Sequence, residues 1–275
     1  MVKPERSTAA YVERVRVDIL LETFGTRWGE IHAGALAAER AGLDGVWLND
    51  HLAGSVQGAP HVLECWTILS ALAAEVPRVA LGSLVLNVAN RDPGTLAVMA
   101  ATLQHVSKGR LILGLGAGAR AGTSYAVEQE ALGRRVLADP ERRRAVERTI
   151  ATLRQVWSGV VPPATGFLRP EPAPPIVVAG FGPKMAEVAG RVGDGVCLRA
   201  GSMLIELLAV ARRAHADAGR DPEQFLVTVS LPSMPARSQP WAELGVDRLI
   251  VNVAPPLEEA IARLDEIVGQ WKTGG

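Results

Sequence analysis

Gly42-Leu43-Asp44-Gly45-Val46-Trp47-Leu48-Asn49-Asp50-His51 joins the end of one helical pattern to a short apolar strand and a polar strand end. Gly42 stops a helical pattern over 29–41, as a glycine at a helix C-terminus does. A short apolar run of strand length (46–48) follows, and it ends abruptly in an amide, a carboxylate and an imidazole. Polar residues gathered at the C-terminal end of a strand are where an α/β barrel keeps its ligand contacts.

The same alternation recurs along the whole chain. Apolar runs of strand length lie at 15–21, 79–87, 111–115, 176–179, 196–198, 225–231 and 248–253. Helical spacing fills 63–74, 93–106, 139–159, 183–191, 204–218, 241–244 and 257–271, with Pro93 and Pro140 at first-turn positions and Lys108-Gly109 closing the third helix. Strands alternating with helices predict a parallel sheet with crossover helices. Eight such units without a break in composition predict the α/β class: one (β/α)8 TIM barrel spanning 1–275, with a flexible N-terminus over 1–13. Residues 117–139, after strand four, and the proline-rich 160–175, before strand five, are too long for bare connections and are expected to be irregular insertions.

Composition narrows the function. Of 275 residues, 48% are hydrophobic, and 29 basic side chains balance 29 acidic ones, so no whole-protein field favours nucleic acid or an anionic membrane. No apolar run approaches the ~20 residues of a membrane span. The first residues carry no secretory apolar core, and Cys65 and Cys197 lack CxxC spacing, which together point to the reducing cytoplasm. His32, His61, His105 and His215 show no metal-ligand spacing, and HExxH and GxSxG are both missing, so no metal site is expected. Arg142-Arg143-Arg144 with Glu147 and Arg148 reads as a solvated helix face, and Glu64 as a partly buried hydrogen-bond partner.

The strand ends carry the chemistry. Asn49-Asp50-His51 places an imidazole beside a carboxylate, an acid/base or donor group that works near neutral pH. Leu84 to Asn87 and Asn90-Arg91-Asp92-Pro93 read as a buried strand leading into an N-capped helix. Gly114-Leu115-Gly116-Ala117-Gly118 lets backbone amides approach a phosphate or a flat ring. A dinucleotide fingerprint is a weak competitor, because its third glycine comes one position late at Gly122 and no helix opens there. Ala179-Gly180-Phe181-Gly182-Pro183-Lys184 leads straight into a helix, and Arg199-Ala200-Gly201-Ser202 adds a cation, two neighbouring loops suited to an anion.

With these residues in hand, the chain resembles the bacterial luciferase-like superfamily of flavin and deazaflavin (coenzyme F420) oxidoreductases. The resemblance runs in order through 44–51, 78–82, 102–118, 175–184 and 189–195, and is closest to the branch of methylenetetrahydromethanopterin reductases. It implies a barrel with F420, or alternatively FMN, at the strand C-termini. His51 is then the acid/base, and Asp50 lies against the ring. A non-prolyl cis peptide among Ser83, Leu84 and Val85 presses a bulge onto the ring, with Asn87, Gly116 and Gly118 alongside. Ala179, Gly180, Phe181, Gly182 and Pro183 match the phosphate loop, flanked by Arg199, Ala200 and Gly201. The sequence departs from the family in two places. Ala119-Arg120-Ala121 stands where some F420 enzymes carry a glutamate, and Ala53-Gly54-Ser55 where some carry an aromatic.

The expected activity is hydride transfer between the deazaflavin C5 and a small organic substrate, in a homodimer packed through early helices. An FMN-dependent monooxygenase and a non-catalytic flavin-binding protein are the competing readings.

Overall fold

The computed structural model describes residues 15–235, 239–253, 259, 261–264, 266 and 269. The N-terminus expected over 1–13 lies outside them. The closing helix expected over 257–271 is helical at each of its described positions, with Ile261 and Leu264 buried.

The strands are β1 (Arg16–Leu21), β2 (Gly45–Leu48), β3 (Ala80–Ser83), β4 (Leu86–Asn87), β5 (Leu111–Gly116), β6 (Val160–Val161), β7 (Ala164–Thr165), β8 (Ile176–Ala179), β9 (Gly195–Arg199), β10 (Leu226–Leu231) and β11 (Arg248–Val253). The helices are α1 (Trp28–Arg40), α2 (Cys65–Glu75), α3 (Pro93–Val106), α4 (Ser124–Ala131), α5 (Asp139–Trp157), α6 (Pro183–Val192), α7 (Leu204–Asp217) and α8 (Gln239–Glu243). The main sheet runs β3-β2-β1-β11-β10-β9-β8-β5-β4, and a further β3–β5 pairing closes it into a barrel of eight parallel staves. Six residues from Leu81 to Leu86 face five from Leu111 to Leu115, so the third stave carries a one-residue bulge.

That bulge corrects the continuous strand expected over 79–87. The chain breaks at Leu84–Val85, which is the cis peptide, and β3 and β4 resume on either side of it against β5. The two insertions also differ from expectation. The 117–138 segment contains α4, and the proline-rich stretch opens with the β6–β7 antiparallel hairpin.

Helix ends follow local chemistry. Gly42, at φ 72°, takes the left-handed position after α1 that glycine adopts without strain. Asp92 caps α3 by accepting from the Thr95 amide at 2.9 Å. Apolar strand and helix faces form the larger core between sheet and helices, while Leu20, Trp47, Ile112, Val177, Cys197 and Ile250 fill the barrel itself. Trp47 occupies so much of that interior that a Cβ on Gly82 would lie 2.2 Å from its ring, so only glycine fits there. Lower in the barrel, fully buried Asp18 accepts two bonds from Arg248 (2.6 and 2.8 Å) and one from the Trp47 indole (2.7 Å). This charged plug holds β1, β2 and β11 together.

Candidate active site

A cleft of about 1410 Å³ occupies the C-terminal end of the barrel. Of the expected residues, Asp50 and His51 line it after β2, Leu84, Val85 and Asn87 at the bulge, and Gly116 and Gly118 after β5. Ala179, Phe181, Gly182, Pro183 and Arg199 line its far side. Ser83, Gly180, Ala200 and Gly201 do not reach it. The Ser83 hydroxyl donates to the Gly114 carbonyl (2.9 Å) and accepts from its amide (3.0 Å), which ties β3 to β5. Gly180 is pressed against Val196, where a Cβ would come within 2.9 Å.

His51 is held by a partner that the strand ends do not announce. Its Nδ1 lies 2.9 Å from Glu128 Oε1 on α4, and the second oxygen of that carboxylate accepts from the Leu52 and Ala53 amides (2.8 and 3.1 Å). The rings of Phe24 and Tyr125 flank the imidazole, each with its centroid 5.1 Å away. An ionised carboxylate only accepts, so Nδ1 carries the hydrogen, and in the neutral ring Nε2 holds the free lone pair. The His–carboxylate pair is therefore a base with its tautomer set by Glu128.

Burial alone raises the Glu128 carboxyl, but the His51 ring and the two amides outweigh it and hold the group below its ordinary value of 4.5. A depressed folded-state value stabilises the fold above the unfolded value, and the gain is lost as pH falls through the folded one. The urea midpoint of the wild type is thus expected to fall between pH 6 and pH 3 by more than that of Glu128→Gln. An equal fall in both proteins refutes the pairing.

Asp50 is buried and its carboxylate is fully engaged. Arg91 grips it with both ends of the guanidinium, Nη1 to Oδ2 at 2.9 Å and Nη2 to Oδ1 at 2.7 Å, and the Asn87 amide adds a bond of 2.8 Å. Arg91 also contacts Glu64, whose carboxylate caps α2 through the Trp66 and Thr67 amides. The strand-two end, the bulge exit and the start of α2 therefore meet at one ion cluster beneath the cleft.

The opposite rim is positive. Arg142 is not on a solvated face: half-buried, it bonds the Ala117 and Gly118 carbonyls and pairs with Asp139, which also holds Arg120. Arg143, Lys184 and Arg199 line the cleft with no ion pair among the described residues, and Arg199 lies 4.6 Å over the Phe181 ring. The N-terminus of α6 opens there behind Gly182, with no side-chain cap on its amides. In a chain of zero net charge, this surplus of unpaired cations marks the rim for an anionic group.

Sequence reasoning missed Phe24, Tyr125, Glu128 and Arg143. The available signal for Glu128 is the glutamate that some F420 enzymes carry soon after the strand-four glycines; Ala119-Arg120-Ala121 stands there, and Glu128 lies ten residues past Gly118.

Comparisons with known proteins agree with this architecture. The chain is 31% identical over 255 residues to a phthiodiolone/phenolphthiodiolone dimycocerosates ketoreductase of Mycobacterium kansasii, covering 79% of this chain and 66% of that protein. It is 30% identical over 250 residues to an F420-dependent hydroxymycolic acid dehydrogenase of Mycobacterium tuberculosis, covering 86% and 65%. The chain thus spans just under two thirds of the length of these relatives. In fold it is similar to an F420-dependent secondary alcohol dehydrogenase solved with an F420-acetone adduct, with a TM-score of 0.78 at 17% identity over 93% of this chain and 98% of that one. The model of the family described as luciferase-like monooxygenase matches residues 10–273, and the chain belongs to that luciferase-like family.

Proposed function

We propose that the protein is an F420-dependent oxidoreductase that interconverts an alcohol and a carbonyl compound. The observation that carries this reading is the His51–Glu128 pair, a base with Nε2 free, in one cleft with an anion-suited rim. The cleft exceeds the roughly 300–1,000 Å³ of a pocket for one small ligand, so it has room for a cofactor and a substrate together. The residues fit the cofactor. Arg143, Lys184, Arg199 and the α6 N-terminus suit its phosphate, and the Leu84-Val85 bulge with Ala179 suits a flat ring. F420, when bound, supplies a C5 position that exchanges a hydride with the substrate carbon.

The proton is the chain's own task. In the oxidative direction, Nε2 of His51 takes the hydroxyl proton as the carbon gives up its hydride, and Glu128 stabilises the imidazolium that results. In reduction, the same nitrogen returns the proton to the oxygen. The names of the relatives, a ketoreductase and a hydroxymycolic acid dehydrogenase, support an alcohol–carbonyl pair.

Titration of the purified protein with F420 and with FMN tests the reading. Saturable F420 binding, with a change in F420 absorbance on adding alcohols or ketones, is the expected result. Binding of neither cofactor overturns it, and FMN binding with oxygen consumption transfers the chain to the monooxygenase reading. The proposal includes a homodimer through the early helices, supported by exposed Trp28 stacked on His32 at the start of α1 (5.1 Å); a monomer mass in sedimentation overturns that part. A reducing cytoplasm is supported by the two buried, unbridged cysteines.

A further inference from the structure

Beside the main cleft lies a smaller chamber of about 210 Å³, with Ala117, Ala119 and Arg142 lining both. Most of its wall is apolar, contributed by side chains such as Val88, Pro93, Leu137 and Ala145. The polar groups around it are largely engaged. The Gln129 amide accepts from Asn87 (3.2 Å) and donates to the Arg135 carbonyl (2.6 Å), and the Arg142 guanidinium is taken up by Ala117, Gly118 and Asp139.

Two successive residues of α5 are the exception. Thr149 is only 2% exposed, lines the chamber, and its hydroxyl makes no hydrogen bond among the described residues. Arg148 lines the same chamber from an exposed position and has no ion pair among the described residues. Buried hydroxyls are almost always satisfied, so one with no protein partner beside a cavity takes its partner, a water or a ligand atom, from that cavity. A hydroxyl donor next to a guanidinium fits one carboxylate, whose two oxygens accept one bond from each. The apolar remainder fits methylene groups.

We propose that this chamber receives the far end of the substrate, a short aliphatic arm ending in a carboxylate. The carboxylate bonds the Thr149 hydroxyl and the Arg148 guanidinium while the methylenes pack on the apolar wall. At roughly 30 Å³ per water the chamber holds about seven waters, the bulk of a few methylenes and an acid group. Resting on the oxidoreductase reading, this narrows the substrate class to hydroxy acids and oxo acids whose reacting carbon sits at His51.

Thermal-shift titration of the cofactor-free protein with butyrate, hexanoate and octanoate, each against the matching alcohol, tests the chamber directly. Stabilisation by the carboxylates over the alcohols is expected, with an optimum in chain length. Thr149→Val and Arg148→Met are each expected to weaken carboxylate binding about tenfold, the size of one or two charge-assisted hydrogen bonds. Ala145→Phe, which fills the chamber, is expected to abolish the length optimum. If it does not fold, Thr149→Val carries the decision, since it removes only a hydroxyl. No preference for carboxylates, or a preference unchanged in Thr149→Val and Arg148→Met, overturns the proposal; the latter result assigns the acids to the cations of the main cleft. An F420 titration of the same preparations separates the two readings. F420 binding without the carboxylate preference defeats the chamber alone, and the preference without F420 binding defeats the oxidoreductase alone.

Discussion

Replacing His51 with alanine is expected to lower kcat by about 10²–10⁴-fold, the usual contribution of a positioned acid or base. F420 affinity is expected to move by less than about 1.4 kcal/mol, or tenfold. The split follows from the geometry. The ring is fixed through Nδ1 by Glu128 and packed between Phe24 and Tyr125, while the unpaired cations suited to the cofactor's anionic end stand on the other rim. Removing the imidazole deletes the proton acceptor and leaves Lys184, Arg199 and the α6 N-terminus untouched. His51→Gln sharpens the test, because its amide can still donate to Glu128 and support α4 yet cannot exchange a proton. Both variants should therefore lose turnover alike. If His51→Gln keeps wild-type kcat, the histidine only positions the ring and the base lies elsewhere.

The staves and helix caps were legible because their signals are local. Gly42, Asp92, Pro93 and the apolar runs act within one turn or one strand, and the structure puts the elements where they point. The bulge was not legible from the residues themselves, since Leu84 and Val85 are as apolar as the strand around them and only the pairing with β5 shows the extra residue. The family resemblance supplied it. α4 was hidden for a different reason: the face it buries carries Ala126, Glu128 and Gln129, so the inward side is polar and no hydrophobic period appears. The polar purpose of that face is His51, 77 residues earlier in the chain. Arg91 was read as part of a loop entering α3, and no local pattern shows that it reaches back to the strand-two end. Its side chain is explained by Asp50 and Glu64 together.

That pair predicts the largest loss of stability. Arg91→Met is expected to cost about 3–5 kcal/mol in urea unfolding, the range for breaking a buried ion pair from one side. The Asp50 side chain is 0% exposed and that of Arg91 11%, so solvent cannot take over when the guanidinium goes. Burial alone makes Arg91 a weaker base, yet Asp50 and Glu64 outweigh it and raise its value, which keeps the guanidinium protonated. Arg91→Lys keeps the charge but cannot span both Asp50 oxygens and Glu64, and an intermediate loss is expected. The double variant Arg91→Met with Asp50→Asn should lose less than the sum of the single ones, because it removes the stranded charge along with its partner. Asp50 precedes His51 and also holds the Asn87 amide, so the same substitution frees the strand-two end and the bulge exit together. Arg91→Met is therefore expected to lower kcat as well as stability. A stability loss below about 1 kcal/mol, the size of a surface pair, would mean that water reaches Asp50 and that the cluster does not hold the floor of the site.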